Sequence, residues 1–216
     1  MIIALAGIKG GVGKTTTAVN VAVLLSRDRD VLLVDGDDQA SSTDFTAVRR
    51  ETRGGEAGYT AVQILGANIR AEGLRLREKF EDIVIDVGGR DSAGQRAALS
   101  IADVVAVPFL PSSFDLWALE NMGKLIEEAR AFNDHLRAVT FVNRADPQGR
   151  DNDEARELAA EVPQLSVLDA QLGNRKAFRS AASQGLGVTE YRPTDAKAVA
   201  EIEALFRCLC DVTATS

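Results

Sequence analysis

The run KGGVGKTT at residues 9–16 constrains the fold of this chain more than any other feature. It lies between a short apolar stretch at residues 2–6 and a helical pattern that starts at Lys14. A strand that turns through glycines into a helix offers free backbone N–H groups to an anion, and glycine lets that anion approach without a Cβ in the way. This order of elements predicts a phosphate-binding loop in which Lys14 contacts the phosphates and the Thr15 hydroxyl coordinates Mg²⁺.

The loop differs from the common pattern G-x-x-x-x-G-K-[ST] in two respects. The first glycine of that pattern would fall on Ile8, whereas this chain has Gly7 one residue earlier. A second lysine also precedes the glycines. The predicted nucleotide contacts in the loop are Lys9, Gly10, Gly11, Val12, Gly13, Lys14, Thr15 and Thr16.

Length and composition favour a single cytoplasmic domain. With 216 residues the chain can bury one sizeable core, and no stretch has the composition of a linker. The longest apolar runs, such as residues 104–110, are too short to cross a bilayer, and the first residues lack the features of a signal peptide. We therefore predict one domain over residues 1–216, a cytoplasmic location and no membrane partner, with residues 211–216 as a frayed tail.

Short β-rich runs alternate with longer helical patterns along the chain. The predicted strands are residues 2–6, 31–35, 59–65, 83–87, 104–108 and 138–142. The predicted helices are residues 14–26, 69–79, 94–100, 116–131, 153–161, 175–183 and 195–209, and residues 39–58 are predicted to form a loop or a short helix. The alternation predicts an α/β fold of the phosphate-loop type, in which a mostly parallel twisted sheet carries helices on both faces.

Acidic residues stand at the ends of two predicted strands. The strand at residues 31–35 leads into Asp35 and Asp37, and Asp86 lies near the end of the strand at residues 83–87. In a parallel sheet these ends share the edge where ligands bind. A triphosphate with Mg²⁺ requires carboxylates, either through metal-bound water or to orient an attacking water. We therefore expect the three acids to converge on the ligand of Lys14 and Thr15.

A local excess of positive charge occurs late in an otherwise acidic protein. The formal net charge of −7 and the pI near 4.9 disfavour a protein coated in positive charge for nucleic acid. Between residues 174 and 192, however, Glu190 is the single acid beside four basic residues, namely Arg175, Lys176, Arg179 and Arg192. Composition alone leaves open whether this patch contacts a phosphate backbone or is a solvated helix face.

The chain resembles the ParA/MinD superfamily of deviant Walker A ATPases, most closely its short ParA-type DNA-partition members. The resemblance covers nearly the whole chain. It rests on the loop at residues 9–16, on VDGDDQ at residues 34–39, on IVIDVGGRD at residues 83–91 and on VPFLPSSFDLW at residues 107–117. Family members often carry proline where this chain has Asp38.

The resemblance implies a nucleotide sandwich: ATP and Mg²⁺ bind each subunit of an ATP-dependent homodimer, and the signature lysine crosses to the partner's phosphates. The implied catalytic residues are Lys9, Lys14 and Asp37, of which Asp37 positions the hydrolytic water. The implied metal-binding residues are Thr15, Asp35 and Asp86. Gly88 and Gly89 resemble a loop that responds to the γ-phosphate. Asn143, Arg144 and Pro111 match adenine contacts in similar proteins, although such residues also often only shape a turn.

The resemblance also implies a role on DNA. In short partition ATPases the ATP-bound dimer binds DNA nonspecifically through basic residues, which favours that role for Arg175, Lys176, Arg179 and Arg192. Such binding neutralises phosphates, so it should depend on salt and be nearly indifferent to sequence. We expect a nucleoid-associated ATPase that drives plasmid or chromosome partition with a ParB-like or other centromere-binding adaptor.

Three alternatives are compatible with the same loop. The closest is a ParA-like ATPase that positions a protein cargo, such as a chemoreceptor array or a microcompartment. A Min-type membrane-associated regulator would need a basic amphipathic C-terminal helix, whereas Glu201, Glu203 and Asp211 surround Arg207 there. A metallocluster carrier similar to the nitrogenase iron protein would need cysteines at a dimer interface, and Cys208 and Cys210 have neither the position nor the number. The lone His135 is expected at the surface, with no catalytic or metal-binding role.

Overall fold

The computed structural model describes residues 1–89, 92–111, 116–147 and 149–214. The strands in these ranges are β1 (Ile2–Leu5), β2 (Val31–Gly36), β3 (Thr60–Gln63), β4 (Asp82–Val87), β5 (Val104–Phe109), β6 (Arg137–Ala145), β7 (Ser166–Val167) and β8 (Leu172–Gly173). The helices are α1 (Lys14–Leu25), α2 (Ser41–Thr52), α3 (Asn68–Arg77), α4 (Ala93–Leu99), α5 (Leu116–Arg130), α6 (Arg150–Ala159), α7 (Lys176–Ala182) and α8 (Ala196–Ala214).

The strands form one parallel sheet in the order β3-β2-β4-β1-β5-β6-β7, and β8 pairs with the end of β6. Each of the strand pairings is parallel, which confirms the predicted fold class. In the register of β2 and β4, Asp35 lies opposite Asp86. Because the strands run in the same direction, the segments that follow β1, β2, β4 and β6 all begin at one edge of the sheet.

Side chains alternate between the two faces of the strands, so the sheet has a hydrophobic core on each side. On β1, Ile2 and Ala4 join the core that packs under α4, α5 and α6. Ile3 and Leu5 join the other core, which packs under α1, α7 and α8. The central strands are buried throughout, as expected for a parallel sheet covered on both faces.

Helix α2 is longer than the short helix expected within residues 39–58. Its buried residues are Ser42, Phe45, Thr46 and Arg49, at a helical spacing but mostly polar. The Arg49 side chain is 2% exposed and contacts Glu190 through two bonds of 2.6 and 2.9 Å. A buried face made of hydroxyls and an ion pair gives no apolar periodicity, so hydrophobic patterning could not reveal the length of this helix.

Other differences concern short or terminal segments. The strands β7 and β8 were not predicted, because two residues are too few to show an alternating pattern. Helix α8 continues through residues 211–214, where a frayed tail was expected, and Val212 packs against the core. Residues 215–216 lie outside the described residues. Both cysteines are half-buried and outside any disulfide among the described residues, and the His135 side chain is 91% exposed.

The helices that the structure describes are all too short or too polar to cross a bilayer.

Candidate nucleotide-binding site

The glycine-rich loop after β1 ends where α1 begins. Gly13 precedes the helix in a left-handed conformation, with φ of +97°, and Lys14 is the first helical residue. The Lys14 side chain is 7% exposed, and its Nζ donates to the Lys9 carbonyl oxygen at 3.1 Å. Burial lowers the pKa of Lys14, and the charges of Asp86 and Asp37 partly offset that effect. The lysine is therefore held inside the loop, facing both acids.

The Asp86 carboxylate is buried near the end of β4. It is 1% exposed, and its Oδ2 accepts a hydrogen bond of 2.5 Å from the Ser42 hydroxyl. Its Oδ1 has no hydrogen-bond partner among the described residues. Burial raises the pKa of Asp86 to about 6, although Ser42, Thr15 and the charge of Lys14 act in the opposite direction. An unpartnered buried carboxylate oxygen beside the Thr15 hydroxyl fits Mg²⁺.

The described residues contain no group of three or more His, Cys, Asp or Glu that could enclose a metal ion.

The pKa of Asp86 makes stability depend on pH. Its folded value of about 6 exceeds its ordinary value of 3.8, so the folded chain keeps a proton that the unfolded chain has released between those pH values. Raising the pH through this window should therefore cost the nucleotide-free protein up to about 3 kcal/mol, at roughly 1.4 kcal/mol per pKa unit. Calorimetry from pH 4 to 7 should show this loss in the parent but not in Asp86→Asn. Parallel stability curves for the two proteins would contradict the assignment.

Asp35 and Asp37 have different environments. Both oxygens of Asp35 already accept hydrogen bonds: Oδ2 from the Thr43 N–H and hydroxyl at 2.8 Å each, and Oδ1 from the Asp37 N–H at 3.2 Å. Asp35 thus shapes the turn into α2. An Asp35 oxygen that bound a metal, as predicted, would have to do so while it accepts these hydrogen bonds. Asp37 is half-buried, lies beside Gly88 and accepts from the Gln39 N–H at 3.1 Å.

The Gly88–Gly89 segment lies directly against the phosphate-binding loop. A Cβ placed on Gly89 would lie 3.0 Å from the Gly10 nitrogen and 3.1 Å from Lys14 Nζ, so a larger residue would have to displace the phosphate-binding loop slightly. Gln95 of α4 joins the two segments, because its amide nitrogen can donate to the carbonyl oxygens of Gly7 and Gly88 at 3.3 Å each. Residues 90 and 91 of the IVIDVGGRD motif lie outside the described residues.

A second cleft adjoins the loop between β6 and α7. It has a volume of about 410 Å³ and is lined by Gly13, Pro111, Asn143, Arg144 and Phe178, among others. The three predicted adenine contacts thus line one cleft. Arg144 also lines a neighbouring cleft, here termed the phosphate cleft, together with Gly13, Lys14 and Thr15. Their contact with a base remains a prediction, and residues 112–115 of the neighbouring motif lie outside the described residues.

The structure separates the four predicted DNA contacts. Lys176 and Arg179 are exposed on α7, and Arg192 is exposed in the segment before α8. Arg175 instead forms an ion pair with Glu201 of α8, through bonds of 2.8 and 2.5 Å. Arg175 therefore offers less free charge to a phosphate than the other three.

Two residues at the site were not anticipated from the sequence. Ser42 donates to Asp86, and Gln95 bridges two of the loops. The run Ser41-Ser42-Thr43, which closely follows Asp37, is a signal that could have identified the first. Gln95 lies in a short helix with no distinguishing motif, so the sequence held no comparable signal for it.

Comparisons with known proteins agree with this geometry. A family model described as the CobQ/CobB/MinD/ParA nucleotide-binding domain matches residues 3–188. Two relatives are named maintenance of carboxysome distribution protein A. The one from Halothiobacillus neapolitanus is 28% identical over 207 residues, covering 94% of this chain and 93% of its own. The one from Gloeobacter kilaueensis is 30% identical over 209 residues, covering 95% and 90%.

A third relative and a solved structure extend the comparison. The chromosome-partitioning ATPase Soj of Thermus thermophilus is 35% identical over 165 residues, which cover 63% of this chain and 66% of its own. A McdA–ATP complex from Cyanothece has a TM-score of 0.76 at 18% identity, covering 100% of this chain and 97% of that one. At that identity the structural match shows a common fold.

Proposed function

Because the chain belongs to the CobQ/CobB/MinD/ParA nucleotide-binding family, we propose that it is a ParA-like positioning ATPase whose cargo is a protein assembly. The chain is a phosphate-loop ATPase with ATP and Mg²⁺ as cofactors. The observation that supports a protein cargo is the match to two carboxysome-distribution proteins over at least 90% of the length of each of these relatives. The match to Soj covers less of both chains. This favours protein cargo over the plasmid or chromosome that the sequence resemblance had placed first.

Four side chains at the site carry the roles that ATP hydrolysis requires. Lys14 neutralises the phosphates from within the loop, and Asp37, half-buried beside Gly88, orients the attacking water. Thr15 and the unpartnered oxygen of Asp86 would hold Mg²⁺, which supplies charge stabilisation at the phosphates. Since little covalent chemistry falls to the protein, positioning and electrostatics carry the reaction.

Dimerisation is the second part of the proposal. Lys9 lies at the start of the loop and is half-buried, with its carbonyl oxygen bound to Lys14. We propose that its side chain reaches the phosphates of the partner subunit, so that ATP joins two copies of the chain. The Gly88–Gly89 segment, packed against Gly10, would then transmit the presence of the γ-phosphate.

Nonspecific DNA binding by the dimer is assigned to Lys176, Arg179 and Arg192. Replacing all three with alanine should weaken binding to random duplex DNA by about 30-fold or more at low salt and reduce the salt dependence, because phosphate contacts release counterions. Fluorescence anisotropy with ATP, across a range of salt concentrations, measures both quantities. A control that replaces Arg70 of α3 and the nearby Lys79, both exposed, should bind as the parent does. Helix α3 packs on the face of the sheet opposite to the one that α7 covers. Equal binding by both variants would leave the basic residues as a solvated face.

The nature of the cargo is tested in the native host. Deleting the gene should cluster a fluorescently labelled protein assembly that is otherwise evenly spaced, while plasmids are retained. Loss of plasmids with assemblies still evenly spaced would overturn the protein-cargo proposal in favour of DNA partition.

A further inference from the structure

The Asn143 side chain contacts the phosphate-binding loop as well as lining the adjoining cleft. Its Nδ2 donates to the Val12 carbonyl oxygen at 2.6 Å, and its Oδ1 accepts from the Arg144 N–H at 2.9 Å. Asn143 is 7% exposed. Two of the bonds that its amide can form are thus already used inside the protein, which reduces what it can offer to a base.

The pairing of β6 is irregular next to Asn143. β6 pairs with β8 at Asn143 and Ala145, and the register shifts between them. Arg144, at this shift, has a φ of +52°, a left-handed conformation that side-chain-bearing residues rarely adopt. The bond from the Arg144 N–H to Asn143 spans this turn. Irregular strand pairing is common next to binding sites, and here it adjoins the amide that holds Val12.

Gly13 is fitted to the same contact. A Cβ on Gly13 would lie 2.0 Å from Asn143 Nδ2, and the φ of +97° would strain any other residue. The amide therefore occupies the space that a side chain at position 13 would need. Gly13 and the Asn143 side chain are sterically complementary, so Asn143 packs as part of the phosphate-binding loop although it comes from β6.

We propose that Asn143 is a positioning residue that presets the Val12–Gly13 peptide for phosphate binding. The C=O and N–H of a planar trans peptide point in opposite directions. By holding the Val12 carbonyl on its own side, Asn143 turns the Gly13 N–H toward the phosphate cleft, which Gly13 lines with Lys14 and Thr15. A preset donor binds an anion without further reorganisation. This inference rests on the proposed function, since it requires that the loop bind phosphates.

The Asn143 amide forms hydrogen bonds with two backbone groups that have opposite requirements. The Val12 carbonyl needs a donor and the Arg144 N–H needs an acceptor. Aspartate at position 143 would place an acceptor against the Val12 carbonyl, and alanine would reach neither partner. Both substitutions should free the Val12–Gly13 peptide to rotate.

Inorganic tripolyphosphate with Mg²⁺ separates this role from contact with a base, because the probe has no base. By titration calorimetry, Asn143→Ala should bind it at least about tenfold more weakly than the parent, or about 1.4 kcal/mol. The matched control is Asn174→Ala, which removes an exposed amide from the same cleft. Asn174 is held there through its backbone N–H to the Ala145 oxygen, so its variant should bind as the parent does.

Two results would overturn the proposal. If Asn143→Ala binds tripolyphosphate as the parent does, the positioning role is wrong, and weaker ATP binding by the same variant would then assign Asn143 to the base only. If the parent itself binds neither tripolyphosphate nor ATP, the nucleotide site fails and the proposal fails with it, a result distinct from the first. Asn143→Asp, which is nearly isosteric, replaces the alanine variant if that variant does not fold, and unchanged tripolyphosphate binding by it would be equally decisive.

Discussion

Replacing Lys14 with alanine is expected to weaken ATP binding by at least about 100-fold, or ~2.7 kcal/mol. The ammonium is 7% exposed and is held in place by the Lys9 carbonyl, so it meets the phosphates with little loss of conformational freedom. Its removal would also leave Asp86 and Asp37 facing the phosphates without their shared cation. Titration calorimetry with ATP and Mg²⁺ measures the loss directly.

A matched control separates this effect from a general change in charge. Lys79 is exposed and lies just before β4, whose amino end is at the edge of the sheet away from the loop. Lys79→Ala should bind ATP with the parent's affinity. If Lys14→Ala also retains that affinity, the loop is not the phosphate site.

Replacing Asp37 with alanine is expected to preserve ATP binding and to reduce turnover by roughly 100-fold or more, the usual size of an effect at a residue that handles the reacting water. Asp37 makes its hydrogen bond within its own turn, so its loss should not unfold the site. Because hydrolysis ends the ATP-bound state, the variant should also accumulate as a dimer. Steady-state phosphate release, measured beside ATP affinity, separates the two effects.

Asp44→Ala is a suitable comparison, since Asp44 is an exposed acid in the first turn of α2. It should release phosphate at close to the parent's rate. Normal turnover in Asp37→Ala would remove its catalytic role, whereas lost ATP binding would make it a binding residue.

The sequence predicted the strands that carry the site because each is an apolar run bounded by turn residues. It also predicted that the loop and the three acids would converge, since parallel strands bring their carboxyl ends to one edge. The prediction of secondary structure failed where the buried side chains are polar. Helix α2 packs Ser42, Thr46 and Arg49 inward, and such a face looks like a loop in the sequence.

Side-chain contacts between residues far apart in the chain could not be predicted from the sequence either. Arg175 and Glu201 are 26 positions apart, so their ion pair was invisible until α7 and α8 were placed together. The contact between Asn143 and Val12 spans 131 positions and lies next to an irregularity in β6 that has no sequence signal of its own. Motifs thus identified the residues of the candidate site, whereas the partners that hold these residues in place required the structure.

The central claim is that ATP joins two copies of this chain through Lys9. Sedimentation velocity of Asp37→Ala with ATP and Mg²⁺ tests it most directly, because the variant should not consume its ligand. We predict a dimer with ATP and a monomer with ADP. The double variant Asp37→Ala, Lys9→Ala should be a monomer with ATP, although calorimetry should still detect ATP binding to it. A chain that stays monomeric with ATP, or a Lys9→Ala variant that remains a dimer, would contradict the claim.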